Sequence, residues 1–266
     1  MSTSLWNGFE LERTDPEPGV ARLLVRPRPG GPVARDAEGR PLWYWKVHFW
    51  GAFPFVDRAL LARGWHVAHT TVDELYGGPE CMRRMDALHA EMVARGFSPR
   101  PVLCGMSRGG LDTANWAAHR AGTPAAIILD NPLLDIRSWP FGAGASKGGT
   151  AENRENAKRA WGLRDEAEVL AFAGNPLPAA VAPLAAARTP VLLVQSLADT
   201  VVPPEENGLP FFEALREAGG DVEKIEKPGA DHHPHSLDPP DRIVAWIESR
   251  VRGAVSPGGA ETILVQ

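Results

Sequence analysis

The residues best suited to chemistry in this sequence lie in the pattern Gly105-Met106-Ser107-Arg108-Gly109. The apolar run 101–104 before the pattern predicts a short buried strand, and residues 111–120 after it predict a helix. A serine between a strand and a helix, flanked by glycines, is typical of a nucleophile elbow, because so tight a turn leaves no space for neighbouring side chains. The turn holds the hydroxyl clear of the backbone and aims nearby amides at the oxygen that becomes negative when a carbonyl is attacked. The sequence therefore predicts that Ser107 is a nucleophile.

A nucleophilic serine needs a base and an acid that orients the base, and an acid candidate follows later in the chain. Asp199 comes after the apolar run 190–195, which predicts a strand. A carboxylate at the carboxyl end of a strand reaches the crevice where the nucleophile stands, whereas the alternative role for Asp199 is to cap the next helix. Glu205 and Glu206 are rivals, but negative charge in the first turn of that helix is expected to stabilise the helix instead. We therefore predict that Asp199 is the acid.

Three histidines crowd the loop that follows the last predicted strand, 222–226. His232, the first of them, is predicted as the base, and it completes the chain order Ser, Asp, His that α/β-hydrolases have. His233 and His235 are predicted to line the pocket or to brace the loop. With Asp231, the three histidines also form a candidate set of metal ligands. Because adjacent histidines usually point apart and no second cluster completes a shell, we expect no metal.

An oxyanion formed at Ser107 would need two backbone N–H donors. In an α/β-hydrolase one donor comes from the residue after the nucleophile, here Arg108, and the other from a loop that follows an early strand. The aromatic run 42–50 predicts that strand, and Gly51 and Ala52 follow it. Gly51 and Ala52 are therefore the candidates for the first donor, although Gly51 also fits an ordinary turn.

The elements that must position these residues alternate between strands and helices along most of the chain. Residues 9–27 predict an antiparallel start, and strand–loop–helix units follow. This order predicts an α/β-hydrolase fold with a mainly parallel central sheet and helices on both faces. We expect a single domain over 1–266, with a lid insertion at about 133–185 and a loose tail at 253–266.

Length and charge narrow the function classes. The 266 residues suit one α/β domain, and 28 basic against 33 acidic residues give a net charge of −5 with no block of like charge, so nucleic acid is not an expected partner. Cys81 and Cys104 are the only cysteines and do not support a disulfide framework. Residues 1–7 lack the features of a signal peptide, and no apolar run is long enough to span a membrane. The expected location is the cytoplasm and no membrane partner is expected; export is the alternative if a leader has been removed.

With these residues assigned, the sequence resembles the serine α/β-hydrolases, and among them a bacterial group of prolyl-oligopeptidase-like esterases. The segments that carry the resemblance are 43–54, 73–77, 105–110, 138–140 and 229–237. Members of this group often resemble carbohydrate esterases, so the resemblance implies an ester of a sugar or a uronic acid as substrate. Two residues depart from the group's pattern: Lys46 stands in place of an arginine, and Asp231 stands in place of a glycine.

The arginine after the nucleophile also resembles the one in the elbow of glucuronoyl esterases. In those enzymes this arginine is thought to help stabilise the oxyanion. An inward Arg108 guanidinium would meet a carboxylate or a polar sugar group, whereas in the alternative it points away and only its amide acts. Four aromatic residues are candidates for pocket walls that stack on a sugar ring, with core or lid packing as the alternative: Trp50, Tyr76, Trp139 and Trp161.

These residues together predict two-step acyl transfer on an ester without a cofactor. His232 takes the proton of Ser107, Ser107 attacks the ester carbonyl, and water then releases the acid, while Asp199 steadies the imidazolium. A serine peptidase of the prolyl oligopeptidase type is one alternative. A gating domain would favour it, and 266 residues leave no room for such a domain. The other alternative is a catalytically silent binding protein with the same fold, against which the intact Ser, Asp and His set argues.

Overall fold

The central feature of the fold is a nine-stranded sheet. The structure, a computed structural model, describes residues 2–252. In chain order the strands are β1 (Ser2–Trp6), β2 (Phe9–Glu17), β3 (Val20–Val25), β4 (Trp43–Lys46), β5 (His66–Thr70), β6 (Val102–Met106), β7 (Ala126–Asp130), β8 (Val191–Ser196) and β9 (Val222–Lys227). They lie side by side in the order β1-β2-β3-β5-β4-β6-β7-β8-β9. The pairs from β1 to β3 and the β3–β5 pair are antiparallel, and all later pairs are parallel, as the sequence predicts.

The sheet begins one strand earlier than the sequence analysis expects. β1 pairs with β2 through a turn at Asn7 and Gly8, which have φ values of 49° and 80°. Two central residues with positive φ are what a type I′ hairpin requires, and Asn-Gly is its preferred sequence. The signal for this hairpin is therefore present at residues 7–8, although β1 itself has little apolar character.

Helices cover both faces of the sheet. They are α1 (Phe55–Ala62), α2 (Pro79–Ala94), α3 (Gly109–His119), α4 (Ala151–Trp161), α5 (Glu166–Leu170), α6 (Pro176–Ala179), α7 (Val181–Ala187), α8 (Gly208–Glu217) and α9 (Asp241–Arg252), with a 3₁₀ turn at Pro204–Glu206. Helices α1 and α9 share one core with the sheet, and α2, α3, α7 and α8 share the other. None of the described helices is both long and apolar enough to cross a membrane.

Strand β4 shows how the sequence fills both cores. Trp43 and Trp45 are fully buried in the core under α2 and α3, and Tyr44 between them is buried in the opposite core. Side chains alternate between the faces of a strand, so a strand covered on both faces is buried at every position, and in β4 this includes the charged Lys46. Trp45 meets Trp116 of α3 edge to face, with ring centroids 5.2 Å apart. This packing fixes β4 beside the helix that follows the nucleophile.

Helices α4 to α7 lie between β7 and β8, and α6 and α7 are not predicted from the sequence. A third core joins this region to the end of the sheet and contains Tyr76, Leu111, Leu133, Ile136, Ala157, Val169 and Val202. Thr150 and Asn153 form a capping box at the start of α4, which defines where that helix begins. That residues 133–185 act as a lid stays a prediction, and the predicted tail at 253–266 lies outside the described residues.

Candidate active site

The turn between β6 and α3 holds Ser107 in a strained conformation. Its φ is 49°, which an L-residue with a side chain rarely adopts, and hydrogen bonds on both sides of the residue maintain it. The Ser107 amide donates to the Asp130 carbonyl at 3.0 Å, and the Ser107 carbonyl accepts from the Leu133 amide at 2.8 Å. The turn is thus fastened to the end of β7, and this is the geometry of a nucleophile elbow.

Two glycines make the elbow possible. A Cβ atom on Gly105 would lie 2.2 Å from the Gly109 carbonyl oxygen, and one on Gly109 would lie 2.7 Å from the Cβ atom of His48. Neither contact can be relieved by rotating a flexible side chain. His48 is itself fixed, because its Nδ1 lies 2.8 Å from a carboxylate oxygen of buried Asp112 in α3. The glycines therefore let α3 and the loop after β4 approach each other closely.

The structure brings the predicted nucleophile, base and acid together. Ser107 Oγ lies 2.9 Å from His232 Nε2, and His232 Nδ1 lies 2.7 Å from a carboxylate oxygen of Asp199. The other Asp199 oxygen accepts the amides of Val201 and Val202 at 3.0 and 2.8 Å. A carboxylate on Nδ1 favours the tautomer in which Nε2 is free to accept the serine proton. The arrangement can thus activate the Ser107 hydroxyl.

The rival acids lie elsewhere. Glu206 accepts a hydrogen bond from the Ser138 hydroxyl at 2.6 Å and another from the Ala145 amide. Glu205 is exposed on the 3₁₀ turn. Glu206 therefore fastens the segment after β7, and Asp199 is the carboxylate on His232.

Two side chains that the sequence analysis did not assign to this role hold the base loop in place. Asn131, which follows β7, donates to the His232 carbonyl at 2.9 Å and accepts the Ser196 amide at 2.7 Å. Asp231 accepts the His232 amide at 2.8 Å and the Thr200 amide at 2.7 Å. The Thr200 hydrogen bond lowers the pKa of Asp231, which keeps its carboxylate ionised. Asp231, which departs from the expected glycine, thus ties the acid loop to the base loop.

Asp130 anchors the far end of the same loop. Its carboxylate accepts Lys227 Nζ at 2.7 Å, lies 3.2 Å from His235 Nδ1 and accepts the Ser236 amide. Burial alone would raise the pKa of Asp130, but His235 and Lys227 bring it below its ordinary value. Its position at the carboxyl end of a buried parallel strand is the signal that would have identified it.

A cavity of about 570 Å³ opens beside Ser107 and His232. It is lined by Phe49, Ala52, Phe53, Ser107, Arg108, Trp139, Asn153, Val201, Val202, His232, His233 and His235. Its walls are mainly apolar and it contains the Ser107 hydroxyl with the base bonded to it, which is the usual character of a small-ligand site. Trp139, His233 and His235 thus line the cavity, and their contact with a substrate stays a prediction.

The other three predicted wall residues lie behind or beside this lining. Trp50 packs against Trp6, with ring centroids 5.0 Å apart, and Trp161 donates its Nε1–H to the Tyr76 carbonyl at 2.9 Å and packs on Phe172. Tyr76 is buried and stacks on Trp139 with centroids 6.2 Å apart. Within residues 2–252, none of Trp50, Tyr76 and Trp161 lines the cavity. Their rings pack as the alternative reading expects, and their assignment as substrate contacts stays a prediction.

The Arg108 side chain forms part of the cavity wall, yet its charge is already paired. Its guanidinium forms an ion pair with Glu74 and lies 5.5–5.7 Å from the ring centroids of Phe49, Tyr76 and Trp139. Burial raises the pKa of Tyr76 to about 12, so its hydroxyl stays neutral beside the ion pair. The guanidinium is thus held between rings rather than directed freely at the nucleophile.

The loop after β4 differs from the predicted oxyanion arrangement. The Ala52 amide donates to the Phe49 carbonyl at 3.0 Å, and the Ala52 carbonyl accepts Lys46 Nζ at 2.9 Å. An amide already bonded within a turn is not free to hold an oxyanion, so the assignment of Ala52 is corrected on that ground. Gly51 is an exposed turn residue with φ 81°, and its role stays a prediction. The Arg108 amide stands at the start of α3, where backbone N–H groups lack intrahelical partners, and its role as an oxyanion donor stays a prediction.

The three histidines do not point apart as the sequence analysis expects. The ring centroids of His232, His233 and His235 lie 4.8–5.0 Å from one another. One ring nitrogen from each lies within 4.8 Å of those of the other two. Burial is the main cause that lowers the pKa of both His233 and His235.

Comparisons with known proteins identify the family. The model of the prolyl oligopeptidase family matches residues 78–252. No curated protein matches the chain by sequence. Similar solved structures include a puromycin-hydrolyzing peptidase of Mycobacterium tuberculosis, with 19% identity and a TM-score of 0.65 over 96% of this chain and 41% of that one. An acylaminoacyl peptidase of Pyrococcus horikoshii has 15% identity and a TM-score of 0.66 over 95% of this chain and 43% of that one.

A shorter neighbour is similar over its whole length. The monoacylglycerol lipase of Paleococcus ferrophilus has 19% identity and a TM-score of 0.57 over 87% of this chain and 99% of the lipase. This chain thus spans about two fifths of each peptidase and nearly all of the lipase. At such identities the likeness concerns the fold, and it confirms the predicted α/β-hydrolase fold. Since the family match covers well over half of the chain, the protein is a serine hydrolase that belongs to the prolyl oligopeptidase family.

Proposed function

We propose that this hydrolase cleaves amide bonds of short peptides or acylated amino acids through an acyl-enzyme on Ser107. The observation that carries the proposal is the hydrogen-bonded chain from Asp199 through His232 to Ser107 beside the cavity. The peptidase alternative is preferred to the ester reading because the family and two of its structural neighbours are peptidases. The same neighbours are much longer than this chain, so their substrates serve here as guides only.

The reaction follows from the positions of the three side chains. His232 Nε2 takes the hydroxyl proton as Ser107 Oγ bonds to the scissile carbonyl carbon, and the carbonyl oxygen becomes negative. The Arg108 amide stabilises that oxygen, and Asp199 stabilises the imidazolium. His232 then gives the proton to the leaving amine as the C–N bond breaks. Water attacks the acyl-enzyme with His232 again as base, which releases the acid and restores Ser107.

The cavity supports a small, partly apolar substrate. Its volume of about 570 Å³ lies within the usual range of small-ligand sites, about 300–1,000 Å³. Phe53, Val201 and Trp139 offer apolar surface next to the nucleophile. We infer that one apolar side chain or acyl group of the substrate fills this space.

Ester hydrolysis is the second candidate, because the lipase neighbour matches this chain over nearly its whole length. An ester has a better leaving group than an amide, and the same three residues serve both reactions. A sugar or uronate ester, which the sequence resemblance implies, is a narrower form of this candidate. The Glu74 carboxylate on Arg108 argues against a uronate, since it already occupies the cation that would bind one.

The test compares three proteins on both substrate classes. Aminoacyl and acyl-aminoacyl p-nitroanilides are offered beside p-nitrophenyl acetate, a methyl glucuronate ester and an acetylated sugar, and Ser107 is labelled with a fluorophosphonate. We expect native turnover of an anilide, and a loss of about 10³-fold or more in kcat for Ser107→Ala. Ser249→Ala, which removes a hydroxyl bonded to the Trp246 carbonyl outside the site, is the matched control and should retain native activity.

The outcomes separate the candidates. Turnover of esters alone would replace the peptidase proposal by the ester one, and the preferred ester would identify its class. Absence of both turnover and labelling in the native protein would overturn both and favour the binding protein.

A further inference from the structure

The histidine cluster has nitrogen atoms that its known contacts do not use. His235 is 2% exposed, its Nδ1 faces Asp130, and its Nε2 has no hydrogen-bond partner among the described residues. A buried ring nitrogen without a partner loses the hydrogen bond it would make in water. His233 is exposed on the cavity wall, with its ring stacked on Phe53 at 5.6 Å. Both rings therefore offer an unused nitrogen beside the base.

Two of the three histidines are already oriented as metal ligands usually are. A ligating imidazole commonly has a carboxylate on its other nitrogen, which fixes the ring and its tautomer. His232 has Asp199 at 2.7 Å and His235 has Asp130 at 3.2 Å, in each case on Nδ1. Each carboxylate thus leaves Nε2 as the ligand nitrogen, which in His232 now contacts Ser107 Oγ and in His235 has no partner among the described residues. The nearby charge of Lys227 is balanced by its own contact with Asp130 at 2.7 Å.

We propose that His232, His233 and His235 form a site for a divalent transition metal, with Zn²⁺ as the best match, and that its occupation reversibly stops hydrolysis. Three imidazoles are a common zinc ligand set, and zinc bound at about 2.0–2.1 Å in a tetrahedron sets nitrogens about 3.4 Å apart. The nitrogens here lie within 4.8 Å of one another, so modest ring rotations close the site. Water would supply the fourth ligand.

The inhibitory part of this inference rests on the proposed function. Zinc on His232 Nε2 would replace the hydrogen bond to Ser107 Oγ, now 2.9 Å long. The base would then be unable to accept the serine proton, and Ser107 would remain an unactivated alcohol. Removing the metal would restore the hydrogen bond and the activity, since no covalent bond is changed.

Binding and inhibition are measured separately on the full chain after dialysis against a chelator. Zn²⁺ affinity is determined by competition with a chelating dye, and the rate of fluorophosphonate labelling is followed with and without Zn²⁺. We expect one zinc per chain, labelling slowed at least tenfold at saturation, and full recovery with EDTA. His233→Asn and His235→Asn should each raise the Kd for Zn²⁺ at least tenfold, while His119→Asn, an exposed histidine on α3, should leave it unchanged.

The result that overturns the inference is absence of zinc binding, or binding that His233→Asn leaves as tight as in the native protein. Because His233 is exposed, this variant decides the question even if His235→Asn fails to fold. A native protein that binds zinc through these histidines but is not labelled without zinc would refute the proposed function and retain the metal site. A protein that is labelled but binds no zinc would refute the metal site and retain the proposed function.

Discussion

At the scale of single residues, two aspartates next to the base have different tasks. Asp199 contacts the imidazole at 2.7 Å, whereas Asp231 contacts backbone amides of His232 and Thr200. We expect Asp199→Asn to lower kcat by about 10³–10⁴-fold, because an amide favours the wrong tautomer of His232. Asp231→Asn keeps an acceptor oxygen for the amides, so kcat should fall by less than about tenfold. Steady-state kinetics on the preferred substrate, with circular dichroism as a check of folding, measure both.

The ratio between these two variants is the informative quantity. Equal losses would mean that Asp199 acts only by holding its loop, as Asp231 does, and would contradict its assignment as the acid.

The Arg108 side chain gives a second prediction at this scale. Its guanidinium is paired with Glu74 and enclosed by three rings, so we expect the backbone amide, not the side chain, to hold the oxyanion. Arg108→Met keeps the amide and the aliphatic length, and kcat should fall by less than about tenfold. Loss of a true oxyanion donor would cost about 10²–10³-fold.

The control for this prediction removes the charge that Arg108→Met leaves unpaired. The double variant Glu74→Gln/Arg108→Met should have the same kcat as Arg108→Met and a higher thermal midpoint, since the half-buried carboxylate is gone. A kcat loss above 10²-fold in both variants would place the guanidinium in the oxyanion hole.

At the scale of elements, the elbow depends on how closely α3 approaches its neighbours. A methyl group on Gly105 would meet the Gly109 carbonyl oxygen at 2.2 Å, so the backbone must move. We expect Gly105→Ala to lower the free energy of unfolding by about 2–3 kcal/mol and kcat/KM by at least 10²-fold, because the Ser107 hydroxyl is displaced. Chemical denaturation and kinetics measure the two effects.

Gly122→Ala is the comparison, since a Cβ atom there has no heavy atom of the described residues within 4 Å apart from its chain neighbours, and only its φ of 83° is unfavourable. It should cost about 1–2 kcal/mol of stability and leave kcat/KM unchanged. Native activity in Gly105→Ala would show that the elbow tolerates a shift of its backbone.

The elements also show which parts of the site the sequence can predict. Ser107 and the strand and helix around it are encoded within a dozen residues, and Asp199 and His232 each follow a recognisable strand, so local patterns suffice. The place of Asp130 at the end of a strand marks it as a candidate, but the partners of Asp130 and Asn131 lie in a loop about a hundred residues later, and contacts that distant leave no spacing signal.

The cavity walls were harder to predict for the same reason. Aromatic composition points to Trp50 and Trp161, but whether a ring faces substrate or core is decided by which neighbour covers it, here Trp6 and Phe172. The position of Ala52 after a strand likewise predicts a free amide, whereas a local turn to Phe49 uses it. Turn geometry of this kind depends on backbone angles that the sequence does not specify.

At the scale of the whole molecule, the interior holds ionisable groups whose contribution to the free energy of unfolding depends on pH. His66 and His69 on β5 are both buried, His69 with its Nδ1 2.8 Å from the Lys46 carbonyl and His66 against the Phe97 ring. Burial is the main cause that lowers the pKa of each from 6.5 to about 4. The unfolded chain therefore binds these protons at a higher pH than the folded protein does.

We expect stability to fall as the pH is lowered from about 6.5 to about 4, because protonation then favours the unfolded chain. Each histidine should account for a loss of about 2 kcal/mol at pH 5 relative to pH 7.5. His66→Phe keeps the ring contact with Phe97 and removes one titrating group. Urea unfolding at pH 7.5 and pH 5 should therefore show a loss in the free energy of unfolding that is about 2 kcal/mol smaller than in the native chain. The difference between variant and native protein at pH 7.5 measures packing alone and serves as the baseline. An equal loss in both proteins between pH 7.5 and pH 5 would mean that His66 is protonated in the fold, and that burial on β5 does not exclude its charge.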